Sequence, residues 1–283
     1  MASLPICTST ATVSSEPEPM SVERALRHER RIVVAALAVL VLLAWAWLLA
    51  GAGMEMRPHG ALAPVPDTPF PSSAMAMGGD GHEAFSALRY AVIFLMWWVM
   101  MVAMMLPSAS PTILLYLRST RHSGLRPAAA SFLGGYLAVW GVFSLAAAML
   151  HATLETTGML SPLMVSRDRW LSGGVLIIAG LYQFSPLKNL CLRHCRNPAW
   201  FLTHNFHPGA LGALRMGAIH GSYCVGCCWP LMALLFVGGV MNLLWIALLT
   251  LVVAAEKLLP FGRYVAIASG VAYLAGGAMM LAG

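Results

Sequence analysis

Long runs of hydrophobic residues, separated by short polar stretches, dominate the chain between residues 32 and 283. Seven of them approach or reach the roughly 20 apolar residues that a helix needs to cross a bilayer. They cover residues 32–50, 88–106, 128–150, 170–184, 213–237, 241–259 and 264–281. The pattern predicts an all-α, polytopic transmembrane helix bundle of about seven spans, built as one helical domain over residues 32–283.

The polar stretches define the rest of the organisation. Residues 1–31 contain few apolar side chains and end in a basic flank. They are predicted to form a disordered basic N-terminal segment. Because this segment is long for the start of a signal peptide and no clean cleavage site follows, the first run is expected to be a retained helix. Residues 51–84 are rich in Gly, Pro and Ala and predict a loop, either a bland linker or a flexible Met/His metal-capture segment.

Composition supports a membrane protein. Hydrophobic residues make up 59% of the chain and charged residues 10%, with a mean hydropathy of +0.75, whereas soluble domains carry about 25% charged residues. The expected partner is therefore the lipid bilayer. The net charge of +6 does not indicate nucleic-acid binding, because the basic residues lie in short segments between apolar runs.

The distribution of basic residues predicts the orientation. With seven spans and a cytosolic N-terminus, 13 of the 17 Lys and Arg residues fall on the inner side, as the positive-inside rule requires. Residues 51–84 are then an extracytosolic loop, and residues 188–212 a cytosolic loop.

One apolar run contains an unusual cluster, His220-Gly-Ser-Tyr-Cys224-Val-Gly-Cys227-Cys228. At about 100° per residue, His220, Cys224 and Cys227 share one helix face, with Cys228 at its margin. Thiolate and imidazole ligands suit Cu(I) or Zn(II). Two alternatives stay open: cysteines that pack as small hydrophobes, and redox chemistry at the Cys224–Cys227 pair.

Two further segments carry soft ligands. Methionines recur at i, i+4 spacing in the second run and are either a thioether path or adaptable core packing; they include Met100, Met101, Met104 and Met105. In the 188–212 loop, Cys191 and Cys195 would lie one turn apart if the segment is helical, with His194 beside them. Pro107 and Pro111 are expected to break the second helix near its end.

Several short motifs together resemble a bacterial family of predicted metal-binding integral membrane proteins, classed as a domain of unknown function. They are MWWVMMVAMMLPS from residue 96, YQFSPLK from 182, CLRHC from 191, HGSYCVGCCW from 220, and GVMN from 239 with Glu256-Lys257. The resemblance covers residues 85–260 and implies a multi-pass protein of the bacterial cytoplasmic (inner) membrane. It also implies metal binding at Cys191, His194, Cys195, His220, Cys224, Cys227 and Cys228.

The leading hypothesis is membrane-embedded handling, by transport or delivery, of a soft metal ion, with copper favoured and zinc second. The ion would enter at Cys191, His194 and Cys195, pass Met104, Met105 and His220, and reach Cys224, Cys227 and Cys228. A metallochaperone or a recipient metalloprotein would be the partner. The alternatives are a thiol-redox or metal-dependent membrane enzyme, with Glu256 as acid or base, and a structural subunit whose cysteines pack; the sequence leaves enzymatic activity open.

Overall fold

The computed structural model describes residues 19–50, 82–119, 127–160, 166 and 168–282. These residues form helices joined by short connections, with one isolated bridge between Leu160 and Ser166, so the all-α prediction is confirmed for them. The helices are α1 (Pro19–Leu49), α2 (His82–Ser119), α3 (Pro127–Thr156), α4 (Arg169–Gln183), α5 (Pro186–Arg196), α6 (Pro198–His204), α7 (Gly209–Ala233), α8 (Leu235–Gly238), α9 (Leu243–Leu258) and α10 (Gly262–Ala282).

Within the described part of the chain, five helices are long and apolar enough to cross a membrane, or six if α4 and α5, bent by 65°, form one broken span. The five lie in α1, α2, α3, α7 with α8, and α10. The predicted span over residues 241–259 corresponds to α9, which has 16 residues. The count of seven therefore stays a prediction.

The N-terminal prediction lies partly outside the described residues. Residues 1–18 and most of the predicted 51–84 loop fall there, together with the capture segment. Residues 19–31, predicted to be disordered, instead form the first turns of α1. The basic flank consists largely of Arg, Glu, Ala and Leu, which are good helix formers, so the helix continues beyond the apolar run.

The prediction that prolines break the second helix is wrong, since α2 continues through Pro107 and Pro111 to Ser119. Pro111 has no N–H to donate to the carbonyl four residues earlier. Ser110 Oγ donates to that carbonyl, Pro107 O, at 2.8 Å instead. A side-chain hydroxyl thus satisfies the freed backbone group, which is how proline is tolerated inside helices in apolar surroundings.

Helices α3 and α7 pack closely through glycines. A Cβ at Gly217 of α7 would lie 1.9 Å from Phe132 O, and one at Gly135 of α3 would lie 2.0 Å from Leu214 O. Small residues let helix backbones approach in this way. The contact fixes the face of α7 that carries the cysteine motif against α3, and α2 also packs on α3.

The predicted 188–212 loop is largely helical. Ser185 and Asn197 cap α5 and α6 with their side chains, and a proline follows each cap, a combination that starts helices efficiently. Helix α5 does not extend away from the bundle but packs against α7, where a Cβ at Gly226 would lie 2.8 Å from Cys191 Sγ. The sequence did not predict this packing, because it depends on contacts between distant residues.

Candidate metal centre

The cysteine motif lies in the interior of the protein on α7. Cys224, Cys227 and Cys228 are each 1% exposed. Pro230 lies one turn beyond Gly226 inside the same helix and cannot donate to Gly226 O. The hydroxyl of Tyr182 donates to that carbonyl instead. This hydrogen bond therefore joins the second half of the motif, on α7, to α4.

Two of the three thiols of the motif donate to one backbone carbonyl. Cys227 Sγ and Cys228 Sγ donate to Cys224 O at 3.1 and 2.9 Å. Cys228 Sγ also lies 3.9 Å from Met105 Sδ on α2. These cysteines are free thiols rather than disulfides, so their sulfur atoms are available as soft donors.

Helix α5 adds sulfur atoms to the same place. The half-buried Cys195 interacts through its thiol with the thiols of both Cys224 and Cys227. Cys191 lies one turn earlier, with its Sγ against Gly226. Cys191 and Cys195 were predicted to lie in a cytosolic loop, and the motif cysteines in a membrane span, as two separate binding sites. The structure instead brings them together into one thiol cluster: Cys195, Cys224, Cys227 and Cys228, with Cys191 at its edge.

A lysine and a tyrosine, neither of them predicted as site residues, complete the surroundings of Cys224. Lys257 Nζ lies 3.0 Å from Cys224 Sγ, 3.4 Å from Ser108 Oγ and 3.8 Å from Met105 Sδ. The hydroxyl of Tyr136 lies 3.2 Å from the same sulfur. Lys257 is only 6% exposed. An ammonium group in this position compensates negative charge on the thiols, which an apolar interior would otherwise disfavour. In the sequence Lys257 lies at the end of an apolar run, where a basic residue is expected at the membrane surface, so no local signal marked it as a site residue.

The methionines divide into two groups. Met105 contacts both Cys228 and Lys257. Met100, Met101 and Met104 are buried in the hydrophobic core. The structure therefore assigns Met105 to the cluster and leaves a thioether path through the other three as a prediction.

Neither predicted histidine ligand lies among the thiols. His220 is buried between aromatic rings, with centroid distances of 5.1 Å to Phe201 and 5.9 Å to Tyr136, and its Nδ1 has no hydrogen-bond partner. His194 stacks on Tyr223 with the ring centroids 4.0 Å apart, and its Nδ1 donates to Leu190 O. Both rings therefore pack on aromatic side chains, and neither forms a hydrogen bond with a thiol of the cluster.

A buried ion pair holds the helices around the cluster. Lys188 Nζ of α5 lies 2.6 Å from Glu256 Oε2 of α9. Gln183 Nε2 of α4 donates to Glu256 Oε1 at 2.9 Å and to Ser269 Oγ of α10 at 2.8 Å. Lys188 Nζ also donates to Gln183 Oε1. Ser269 Oγ donates to Glu256 Oε1 at 3.5 Å, so Glu256, predicted as an acid or base in the enzyme alternative, has partners on three other helices.

The cluster offers soft sulfur ligands close to a cation. Among the described residues, no three His, Cys, Asp or Glu side chains already surround a single point as a metal-binding group. Metal binding displaces thiol protons, and this would release Cys227 Sγ and Cys228 Sγ from Cys224 O. Thiolate and thioether donors suit soft metal ions, Cu(I) among them. The chemistry available here is therefore capture of a soft ion.

Comparison with known proteins adds a family. A family model described as "PpoB2: Copper chaperone" matches residues 94–280 of the 283. The matched region begins in α2 and ends in α10, and so includes every member of the thiol cluster. No curated protein and no solved structure matches the chain.

Proposed function

We propose that this chain, which belongs to the PpoB2 copper chaperone family, binds Cu(I) as cargo in the buried thiol cluster and passes it to a recipient metalloprotein. Cys195, Cys224 and Cys227 would bind the ion, with Cys228 and Met105 adjacent as exchange ligands. The convergence of Cys195 from α5 with the motif on α7 is the observation that carries this proposal.

Copper is favoured over zinc by the donor set. The cluster combines thiols with the thioether of Met105, and thioethers are ligands for Cu(I) rather than for Zn(II). The rings of His220 and His194 pack on aromatic side chains, an arrangement that favours an all-sulfur site over the mixed Cys/His sites common for zinc. The ammonium of Lys257, 3.0 Å from Cys224 Sγ, would offset the negative charge of a copper thiolate complex.

We further propose that the site works inside the bacterial cytoplasmic membrane, in a seven-span protein with a cytosolic N-terminus. The seven spans would be α1, α2, α3, α4 with α5, α7 with α8, α9 and α10. The five apolar helices and the basic residues between them support this arrangement. A reporter inserted after residue 20 of the full-length chain should lie in the cytosol, and one fused after residue 283 should lie outside. Finding both reporters in the same compartment would contradict an odd number of spans.

Elemental analysis of the purified full-length protein tests the metal. After loading with Cu(I) or Zn(II) and desalting, we expect wild type to retain Cu(I) in preference to Zn(II). The double variant Cys224→Ser/Cys227→Ser should lose it. Cys7→Ser is the matched control, because Cys7 lies outside the region that the family model matches. Equal copper in the double variant and wild type would refute the site, and preferential Zn(II) retention would refute the choice of metal.

Two assays separate transport and redox chemistry from delivery. For delivery, Cu(I)-loaded protein should transfer copper to an acceptor protein in detergent, without a membrane gradient. Copper uptake into sealed proteoliposomes, with no transfer to the acceptor, would favour transport. For the enzyme alternative, reversible oxidation of the Cys224–Cys227 pair, seen by thiol trapping across a redox titration, would favour redox chemistry over copper handling.

A further inference from the structure

A second polar site lies on the opposite face of α5 from the thiol cluster. A cavity of about 250 Å³ opens between α5 and α10, lined by Asn189, Leu192, Arg193, Arg196, Arg263 and Ala266. Arg193 and Arg263 are exposed, whereas Leu192 and Ala266 are buried and form the apolar part of the lining. Three cations therefore surround one small space.

These cations lack acidic partners. No carboxylate lines the cavity, and Arg193 and Arg263 form no ion pair with any described residue. Three like charges around one cavity repel each other, and a bound anion removes that repulsion. An anion that accepts several hydrogen bonds at once is the matching ligand.

Arg196 is already oriented for this role. Its Nη2 donates to Leu259 O at 2.9 Å and to Pro260 O at 3.0 Å, in the turn between α9 and α10. A guanidinium group has five N–H donors, so Nε and Nη1 keep three for a ligand. A guanidinium held in place binds phosphate oxygens in pairs with little loss of side-chain freedom.

The surroundings indicate that the phosphate belongs to a lipid. Phe261, Tyr264 and Ile267, near the start of α10, are 52%, 73% and 41% exposed, and Leu190 on α5 is 54% exposed. A free phosphate ion has no use for apolar side chains beside its site, whereas acyl chains cover them. Basic cavities between helices at the cytosolic side of membrane proteins bind anionic headgroups in this manner.

We propose that the cavity between α5 and α10 is a binding site for the phosphate of an anionic phospholipid headgroup. Arg193, Arg196 and Arg263 bind the phosphate oxygens, and Asn189 contacts the polar part of the headgroup. The inference is independent of copper binding, because the residues that line the cavity are distinct from the thiol cluster.

Binding to the purified full-length protein in mild detergent tests this site by native mass spectrometry. The probes are dioctanoyl phosphatidylglycerol, dioctanoyl phosphatidylcholine and inorganic phosphate. We expect phosphatidylglycerol to bind at least about tenfold more tightly than either of the others, the effect of one charged hydrogen bond or more. Equal affinity for phosphatidylcholine would overturn the anion site. Equal affinity for inorganic phosphate would overturn the assignment to a lipid.

Variants separate this site from the general positive charge of the surface. Arg193→Gln/Arg263→Gln should weaken phosphatidylglycerol binding by about tenfold for each guanidinium group removed. The matched control, Arg118→Gln/Arg215→Gln, removes two exposed arginines from α2 and α7 and should leave affinity unchanged. Equal weakening in both double variants would overturn the site. Copper content should be that of wild type in both, which also shows that they fold.

Discussion

Replacing Lys257 by methionine should weaken Cu(I) binding strongly without removing a sulfur ligand. The ammonium group lies 3.0 Å from Cys224 Sγ and is almost completely buried. Cu(I) bound by Cys195, Cys224 and Cys227 carries a net negative charge when two or more of them are thiolates, and that charge is costly in an apolar interior unless a cation lies nearby. Methionine has a similar length but no charge, so Lys257→Met removes the compensation and keeps most of the packing.

The expected size follows from the geometry. When copper binds, the negative charge is spread over several sulfur atoms, so a distance of about 4 Å to Nζ and an effective dielectric constant of about 20 give an attraction of about 4 kcal/mol. In the methionine variant, relaxation of neighbouring side chains and entry of water offset part of this lost attraction. A loss of about 2.7 kcal/mol, or about a hundredfold in affinity, is therefore expected.

Competition between the purified protein and a chromophoric Cu(I) chelator measures this loss. Lys257→Arg keeps the charge and should remain within about tenfold of wild type, the equivalent of about 1.4 kcal/mol. Ser108→Ala removes only a neutral contact of Lys257, 3.4 Å from Nζ, and should bind as wild type does. An affinity for Lys257→Met equal to that of wild type would refute charge compensation. Equal weakening in the arginine variant would mean that shape matters instead of charge.

Three further predictions concern the position of α5. Cys195→Ser should weaken Cu(I) binding by more than the roughly 10–100-fold typical of residues that only orient a ligand, whereas Cys191→Ser should stay within that range. Chelator competition measures both affinities. A larger loss of affinity in Cys191→Ser than in Cys195→Ser would remove Cys195 from the site. Gly226→Ala should lower the thermal midpoint in wild type, because its Cβ would lie 2.8 Å from Cys191 Sγ, but not in a Cys191→Ala background; equal loss in both would exclude this contact as the cause. Lys188→Met or Glu256→Gln alone should lower the free energy of unfolding by about 3–5 kcal/mol, since each leaves the other member of the buried pair without its partner. The double variant should lower it by less than either single variant. Additive losses would show that the two residues act independently.

The sequence was sufficient for the features that depend on local spacing. The helical face shared by Cys224 and Cys227 follows from their separation along α7, and both thiols are buried. The start of α5 at Ser185 and Pro186 is also readable, since side-chain capping and proline at the first turn are local signals. The same local rule misled at Pro111, where Ser110 supplies the missing donor to Pro107 O.

The contacts that define the site are non-local, and spacing could not predict them. Cys195 meets a helix that begins with Gly209, and Lys257 reaches a cysteine 33 positions away. At the end of an apolar run, Lys257 has the same appearance as a basic residue at the membrane surface, as the positive-inside rule predicts. Only the packing of α9 against the bundle turns its ammonium toward Cys224.

Because the proposed copper ligands lie on separate helices, we expect copper affinity to depend on how α5 is docked. Cys195 can contribute only while α5 lies on α7, and that position relies on the absence of a side chain at Gly226 and on the ion pair between Lys188 and Glu256. Neither feature contains a metal ligand. Substitutions there should therefore weaken copper binding through the position of Cys195, and should have no further effect once Cys195 is already serine. If the site were preformed on α7 alone, the same substitutions would leave copper affinity unchanged, and affinity would depend only on Cys224, Cys227 and Cys228.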